Sequence, residues 1–282
     1  MKMESLQNNN SDKKFIDLEQ VIRDKNPGLL KVLPTFILNF IRKVIHEKQI
    51  NDFIKENGNK HDFDFLSCVL KEFDVKIKVI GKENIPQKGG FIFAGNHPLG
   101  GLDGIAFMKA VGEVRKDIKF LVNDILLNLE NIKSLFIPVN KSGRNSSEII
   151  DTIEKTCASD HAILIFPAGL VSRKQGKEIK DLEWKKSFVA LSKKYQKDII
   201  PVYIEGRNTN FFYNLARWRK AIGIKANLEM FFLVDEMYKQ RSKTIILCFG
   251  KLISYKSFDN TSTDKQWANK IKEQVYFLKK EL

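Results

Sequence analysis

The chain is poor in the residues that usually announce a metal site or a covalent nucleophile. Three cysteines in 282 residues, Cys68, Cys157 and Cys248, stand far apart in apolar surroundings such as FLSCVL and IILCFG. Such spacing builds neither a disulfide framework nor a thiolate metal site, so they read as core residues of a protein in a reducing compartment. Only four histidines occur, His46, His61, His97 and His161, with no i,i+4 pair and no Cys/His cluster, and no bound metal is expected. Long apolar runs are lacking too. A spanning helix needs about 20 mainly apolar residues, and the best stretch, GLLKVLPTFILNFIRKVI, is interrupted by Lys31, Pro34, Asn39, Arg42 and Lys43. The opening MKMESLQNNNSDKK carries no apolar signal-peptide core and reads as a flexible tail over residues 1–14. There is no internal repeat and no low-complexity linker.

Acidic side chains are in deficit: 34 Asp and Glu face 48 Lys and Arg, for a net charge of +14. The surface should attract polyanions, anionic lipid headgroups or acidic partner proteins, and charge alone does not choose among them. A hydrophobic fraction of 43% with 21 Phe supports an ordinary packed protein, long enough for one large α/β domain with a small helical appendage.

Within the interrupted stretch, Leu33, Phe36, Ile37, Phe40, Ile41, Val44 and Ile45 recur at helical spacing, with Asn39, Arg42, Lys43 and Lys48 mostly opposite. That amphipathic helix either packs on the core or lies in a membrane interface through residues such as Phe36 and Phe40. With HDFDFLSCVLKEF continuing helically, residues 15–72 read as an N-terminal helical, membrane-contacting region ahead of an α/β domain over 73–282.

The period then changes. VKIKVIG, FIFAGN, IKFLV, LFIPV, AILIFPAG, DIIPVYIEG, NLEMFFLV and KTIILCFG read as strands, with helical patterns between several of them, notably GIAFMKAVGEV, SSEIIDTIEKTCA and EWKKSFVALSKKY. Strands alternating with helices predict an α/β fold with a mixed, largely parallel sheet, closed by a C-terminal helix bearing Trp267, Ile271, Val275 and Leu278 on one face. A further stretch, NFFYNLARWRKAIGIK, intermixes Phe211, Phe212, Leu215 and Trp218 with Arg217, Arg219, Lys220 and Lys225. It suits either an interfacial helix on anionic lipid or a surface helix packed on the sheet. No recognised nucleic-acid module is visible, and no nucleic-acid partner is expected.

In open α/β sheets, ligands gather beyond the carboxyl ends of strands. His97 sits there, just past FIFAGN, in NHPLGGLDG. Asp103, placed just before the helix GIAFMKAVGEV, can serve as its N-cap or as a partner of His97. Gly100 and Gly101 allow a turn tight enough for the carboxylate to reach one imidazole nitrogen and leave the other facing the cleft. An imidazole so held is a general base, and with no GxSxG elbow or reactive cysteine nearby, the nucleophile would come from the substrate.

The order NHPLGGLD, LFIPVNKSGR, FPAGLVSRK and IIPVYIEG resembles the four blocks of the glycerolipid acyltransferases of the lysophosphatidic acid acyltransferase type, over about residues 71 to 254. The resemblance implies His97 as general base and Asp103 as its orienter. It implies acceptor binding by the second and third blocks, here Lys141, Arg144, Gly169 and Arg173, and an acyl-donor pocket shaped by the fourth. Three departures stand out. The first block is H-x5-D rather than H-x4-D, Ala168 occupies the third block's glutamate position, and LVSR replaces its Thr-Arg pair, so that Arg173 matches with a shift of one. NHPLGGLDG together with EMFFLVDEMYKQ is similar to a bacterial, hemolysin-like subgroup linked to O-acylation of amino-acid-containing lipids.

What the resemblance implies is an O-acyltransferase of membrane lipid biosynthesis. It would move a fatty acyl group from acyl-carrier protein or acyl-CoA to the hydroxyl of lysophosphatidate or a lyso-aminolipid. The thioester is its only co-substrate, with no cofactor, and the enzyme would sit peripherally on the cytoplasmic face of the inner membrane. Phe36, Phe40, Phe211, Phe212 and Trp218 are the expected membrane contacts. A non-catalytic lipid-binding protein of the same fold and a thioester hydrolase using the same dyad are the alternatives.

Overall fold

A computed structural model of the protein describes residues 14–25, 27–123, 129–139, 146–224 and 227–282. The chain divides into two compact units, Met1–Asn59 and Lys60–Leu282.

The first unit holds α1 (Leu18–Lys25), α2 (Pro27–Val32), α3 (Thr35–Val44) and α4 (Glu47–Asn57). The amphipathic helix expected as one piece is two, because Pro34 has no N–H to donate and biases the residue before it away from helix. His46, at φ +50°, separates α3 from α4. Arg42 ties the bundle internally, donating to Glu19 on α1 and lying 3.6 Å from Glu47 on α4. Leu38 is buried while Phe36 and Phe40 are 72% and 57% exposed, so α3 turns a phenylalanine pair at i,i+4 spacing outward. No helix among the described residues is long and apolar enough to cross a membrane.

The second unit starts with α5 (Asp62–Glu72), which packs on α6 (Gly101–Gly112) and so belongs with the α/β unit, where the sequence reading had grouped it with the helices before it. Its strands are β1 (Lys76–Ile80), β2 (Phe91–Gly95), β3 (Ile118–Asn123), β4 (Phe136–Val139), β5 (Ala162–Ile165), β6 (Arg173–Gln175), β7 (Glu178–Lys180), β8 (Ile199–Ile204) and β9 (Thr244–Phe249). Seven form one sheet in the order β1-β9-β8-β2-β5-β3-β4, every pair parallel except β8 with β9. The remaining helices are α7 (Ser147–Ala158), α8 (Ser187–Tyr195), α9 (Asn210–Ala221), α10 (Leu233–Tyr238) and α11 (Asp264–Phe277). All residues of β5 and β8 are buried, which is why these strands read as unbroken apolar runs rather than as alternation.

One expected strand is absent. NLEMFFLV forms a 3-10 turn over Leu228–Phe232 and then enters α10. A short apolar run has no period of its own to separate strand from helix, and here Glu229, drawn inward by two arginines, decides the conformation. Conversely, KQGKEIK makes the hairpin β6–β7, its turn carried by Gly176 at φ +60°. Cys157 and Cys248 are buried as expected, whereas Cys68 is only half-buried.

The register brings three strand ends into step. Ala94 of β2 lies opposite Ile165 of β5 on one side and Pro201 of β8 on the other. The residues following β2 therefore emerge between the carboxyl ends of two parallel neighbours, a place where such sheets open a crevice. Asn96 extends the β2–β8 ladder with its side chain, donating to the Ile204 carbonyl at 2.9 Å and accepting from the Ile204 N–H at 2.6 Å.

Candidate active site

His97 follows this clamp directly. Its Nδ1 lies 3.1 Å from each carboxylate oxygen of Asp103. Asp103 is fully buried, while the His97 side chain keeps 17% of its surface exposed. The pair thus has one member sealed in the protein and one open to a reactant. Asp103 does not precede the helix. It is the third residue of α6, and its Oδ2 reaches back to the N–H groups of Leu99 at 2.7 Å and Gly100 at 3.3 Å. Capping and orienting, posed as alternatives by the sequence, are both performed by one carboxylate: Oδ2 takes the two turn N–H groups, and both oxygens lie at the same distance from Nδ1. The turn depends on Gly100, whose φ of +93° and ψ of −126° suit glycine, and whose Cβ would stand 3.3 Å from Leu233.

These bonds commit two backbone donors of the glycine loop, which are then not free for an oxyanion. The Leu99 and Gly100 N–H groups point at Asp103 and are spent on it. Gly169 is likewise occupied: its N–H closes the FPAG turn onto the Phe166 carbonyl at 2.9 Å, with φ +63°. Its exposed backbone marks the outer end of that turn.

Residues that sequence reasoning did not single out complete the surroundings of His97. Phe166 stacks on the imidazole, ring centroids 4.2 Å apart and planes 19° from parallel, and Phe107 stacks on Phe166 in turn. The His97 main chain is held as well, its N–H by Asp181 at 3.2 Å and its carbonyl by the Ser172 N–H at 2.7 Å. Only FPAG gave a signal for any of these, as the turn that ends a buried strand. Asp181, 84 residues away, gave none.

The expected acceptor cations fare differently. Lys141 and Arg144 lie outside the described residues. Arg173 is no open cation: at 5% exposure it is buried, donating to Glu229 at 2.8 Å and to the Val171 carbonyl, with its guanidinium over the Phe212 ring. Arg219 grips the same carboxylate from α9. Burial works to raise the Glu229 carboxyl, but hydrogen bonds from Arg219 and Arg173 outweigh it and hold it below the usual carboxylate range. Arg173 therefore ties β6 to α9 through a buried ion cluster.

Of the expected membrane contacts, Phe36, Phe40, Phe211 and Trp218 are exposed, and Phe212 is not. Phe212 has no accessible surface and packs with Val171 and Tyr213 in a small core cluster. The reason is helical phase: Phe212, Tyr213, Ala216 and Arg219 form the inner face of α9, and Phe211, Trp218 and the following Ile222 the outer one.

Among the described residues the hydrogen-bond partner of the His97 ring is Asp103, and no serine, threonine or cysteine side chain bonds to the imidazole. Burial pushes the Cys157 thiol up to about 11 and the Cys248 thiol up to about 12, so neither is a thiolate at neutral pH. What the site can do chemically is accept a proton from a reactant that approaches the free edge of His97.

A family model described as "Acyltransferase" matches residues 20–282. Among curated proteins, the chain is 44% identical over 265 residues to a protein of Phocaeicola vulgatus named lyso-glycine lipid O-acyltransferase, covering 94% of this chain and 95% of that one. It is 42% identical over 265 residues to a protein of the same name from Bacteroides thetaiotaomicron, covering 94% and 97%. Among solved structures it resembles the 1-acyl-sn-glycerophosphate acyltransferase PlsC of Thermotoga maritima, with a TM-score of 0.45 and 17% identity over 90% of this chain and 97% of that one.

Proposed function

The chain belongs to the acyltransferase family, and from that membership we propose that it moves an acyl group from a thioester donor to the hydroxyl of a lyso-aminolipid, of the lyso-glycine lipid kind. The observation that carries the reading is the His97–Asp103 pair, half open at the carboxyl end of the central strand, with no serine, threonine or cysteine among the described residues bonded to the imidazole. The names of the two relatives support the choice of acceptor over lysophosphatidate. Glycine itself has an amine and a carboxylate but no hydroxyl. An acceptor built on it would therefore carry one acyl group on nitrogen and present a hydroxyl on that chain.

The chemistry follows from the geometry. With Nδ1–H directed at Asp103, the neutral imidazole keeps its lone pair on Nε2. The acceptor hydroxyl gives its proton to Nε2 as its oxygen attacks the thioester carbonyl carbon. The tetrahedral intermediate collapses with loss of the thiolate, and the imidazolium returns the proton to sulfur. One C–O bond forms, one C–S bond breaks, and an ester and a free thiol leave. Asp103 holds the tautomer and offsets the positive charge that appears on the ring. The donor is acyl-carrier protein or acyl-CoA, either of which suits a surface with net charge +14.

Purified full-length protein given a long-chain acyl thioester and an N-acylated glycine bearing a chain hydroxyl should release thiol and form the O-acylated lipid in equal amounts. Thiol release with free fatty acid in place of that product would make it a hydrolase, and no release at all would leave a lipid-binding protein.

The acceptor and product are lipids, so the enzyme must meet a membrane surface. We assign that contact to Phe36 and Phe40 on α3 and to Phe211 and Trp218 on α9, where Arg217 and Lys220 are also exposed. Aromatic and basic residues side by side on α9 suit an interface bearing anionic headgroups, and the exposed aromatic pair on α3 suits the same kind of contact. Trp218→Glu is expected to lower co-sedimentation with vesicles containing anionic lipid several-fold, and high salt should release much of the wild type. Retention after a high-salt or carbonate wash would contradict peripheral attachment.

A further inference from the structure

The hydrogen bonds to the His97 main chain all lead to one buried carboxylate. Asp181 lies just after β7 and has no accessible surface. Its Oδ1 accepts from the His97 N–H at 3.2 Å and from the Ser172 hydroxyl at 2.6 Å, and its Oδ2 accepts from the Trp184 indole N–H at 2.9 Å. Ser172 closes a ring, because its own N–H donates to the His97 carbonyl at 2.7 Å. Asp181 is itself anchored by α11: the Tyr276 hydroxyl accepts its N–H at 2.7 Å, and Lys272 donates to its carbonyl at 2.7 Å and to that of Leu182 at 2.8 Å.

We propose that Asp181 is a positioning residue for acyl transfer: with Ser172 it grips the N–H and C=O of His97, fixing the peptide from which the imidazole reaches Asp103. Among the described residues the imidazole has two supports of its own, the stack on Phe166 and the contact with Asp103. Neither prevents the backbone from rotating the imidazole off the carboxylate. A carboxylate buried at this depth costs stability unless its bonds are made, since burial raises its pKa while donors from Ser172 and Trp184 pull it down. A fold that needed only to close the 172–181 excursion could do so without a buried carboxylate. Here the bonds converge on the one residue whose placement governs proton transfer, and small misplacements of a reacting group are costly in rate.

Loosening the His97 peptide would weaken the contact of its ring with Asp103, and with it the orientation on which proton transfer depends, without touching either substrate. The loss would then fall on kcat and leave KM near wild type. A merely structural role for Asp181 would lower the folded fraction and leave kcat per folded molecule unchanged.

The test uses the full chain with Asp181→Asn and, since that variant can fail to fold, Ser172→Ala, which removes one hydroxyl and keeps the Ser172 N–H bond to His97. The inference rests on His97 being the general base of the proposed reaction. Wild-type protein without transfer activity would overturn both readings, whereas an active wild type isolates this one. Expected are a kcat loss of about tenfold or more for Asp181→Asn and about threefold for Ser172→Ala. KM for both substrates should stay within about twofold in each variant, with kcat referred to the folded fraction. Either folded variant with wild-type kcat overturns the assignment.

Discussion

His97→Ala is expected to abolish acyl transfer to within about a thousandth of the wild-type rate or less, with circular dichroism and melting temperature close to wild type. General acid–base catalysis by a positioned side chain contributes about two to four orders of magnitude, and no other described side chain near His97 stands ready to take its place. The fold should tolerate the loss. His97 lies in a loop at a strand end, its side chain partly open, and its two main-chain bonds to Asp181 and Ser172 survive in alanine. The change removes the stack on Phe166, worth about 0.5–1.5 kcal/mol, and the imidazole contact with Asp103, whose carboxylate keeps the Leu99 and Gly100 N–H groups. Full turnover by a folded variant would refute the assignment of the base.

Asp103→Asn separates the two duties of one carboxylate. Both turn bonds, from Leu99 and Gly100, fall on Oδ2, so an asparagine with its carbonyl oxygen there keeps them. Asn also caps helices about as well as Asp. Its amide nitrogen then takes the place of Oδ1 and presents a donor to His97 Nδ1. An imidazole that meets this donor with a lone pair on Nδ1 carries its proton on Nε2 and loses the base on the side that faces substrate, while one that keeps Nδ1–H has only the remaining carbonyl oxygen to hold it. The charge that steadies the imidazolium goes as well. In serine-protease triads the equivalent change costs about four orders of magnitude in turnover. Here, where the substrate itself brings the hydroxyl, a loss of about a hundredfold or more is expected. Melting temperature should fall by no more than a few degrees. Rate and melting curve measured on one preparation decide the matter, and a near-wild-type rate would reduce Asp103 to a cap.

Some of this was legible without coordinates because the signals are local. A strand buried on both faces must be an apolar run, and β5 and β8 were found that way. A glycine turn between a strand and a helix can only bring near neighbours together, so the His97–Asp103 contact, six residues apart, was open to inspection. That Phe36 and Phe40 share one face of α3 follows from helical period, whereas the exposure of that face came from the structure. Where period gives no answer, the sequence reading failed. NLEMFFLV has the apolar density of a strand and forms a 3-10 turn and helix. Phe211 and Phe212 look alike in sequence and lie about 100° apart around α9, one exposed and one sealed.

By itself, then, the sequence determined a largely parallel α/β sheet, a histidine and a carboxylate brought together just past a strand end, and helices with aromatic and basic residues intermixed. Each of these rests on residue chemistry or on contacts within one turn of the chain. Only the tertiary structure decided what the long-range contacts make of them. It turned Arg173 inward onto Glu229, 56 residues away, rather than outward to an acceptor. It stacked Phe166 on His97, and it delivered Asp181 to the His97 main chain. The physical reason is that a buried polar group must find its partner wherever the fold supplies one, and that choice depends on strand order and register, which no local pattern encodes.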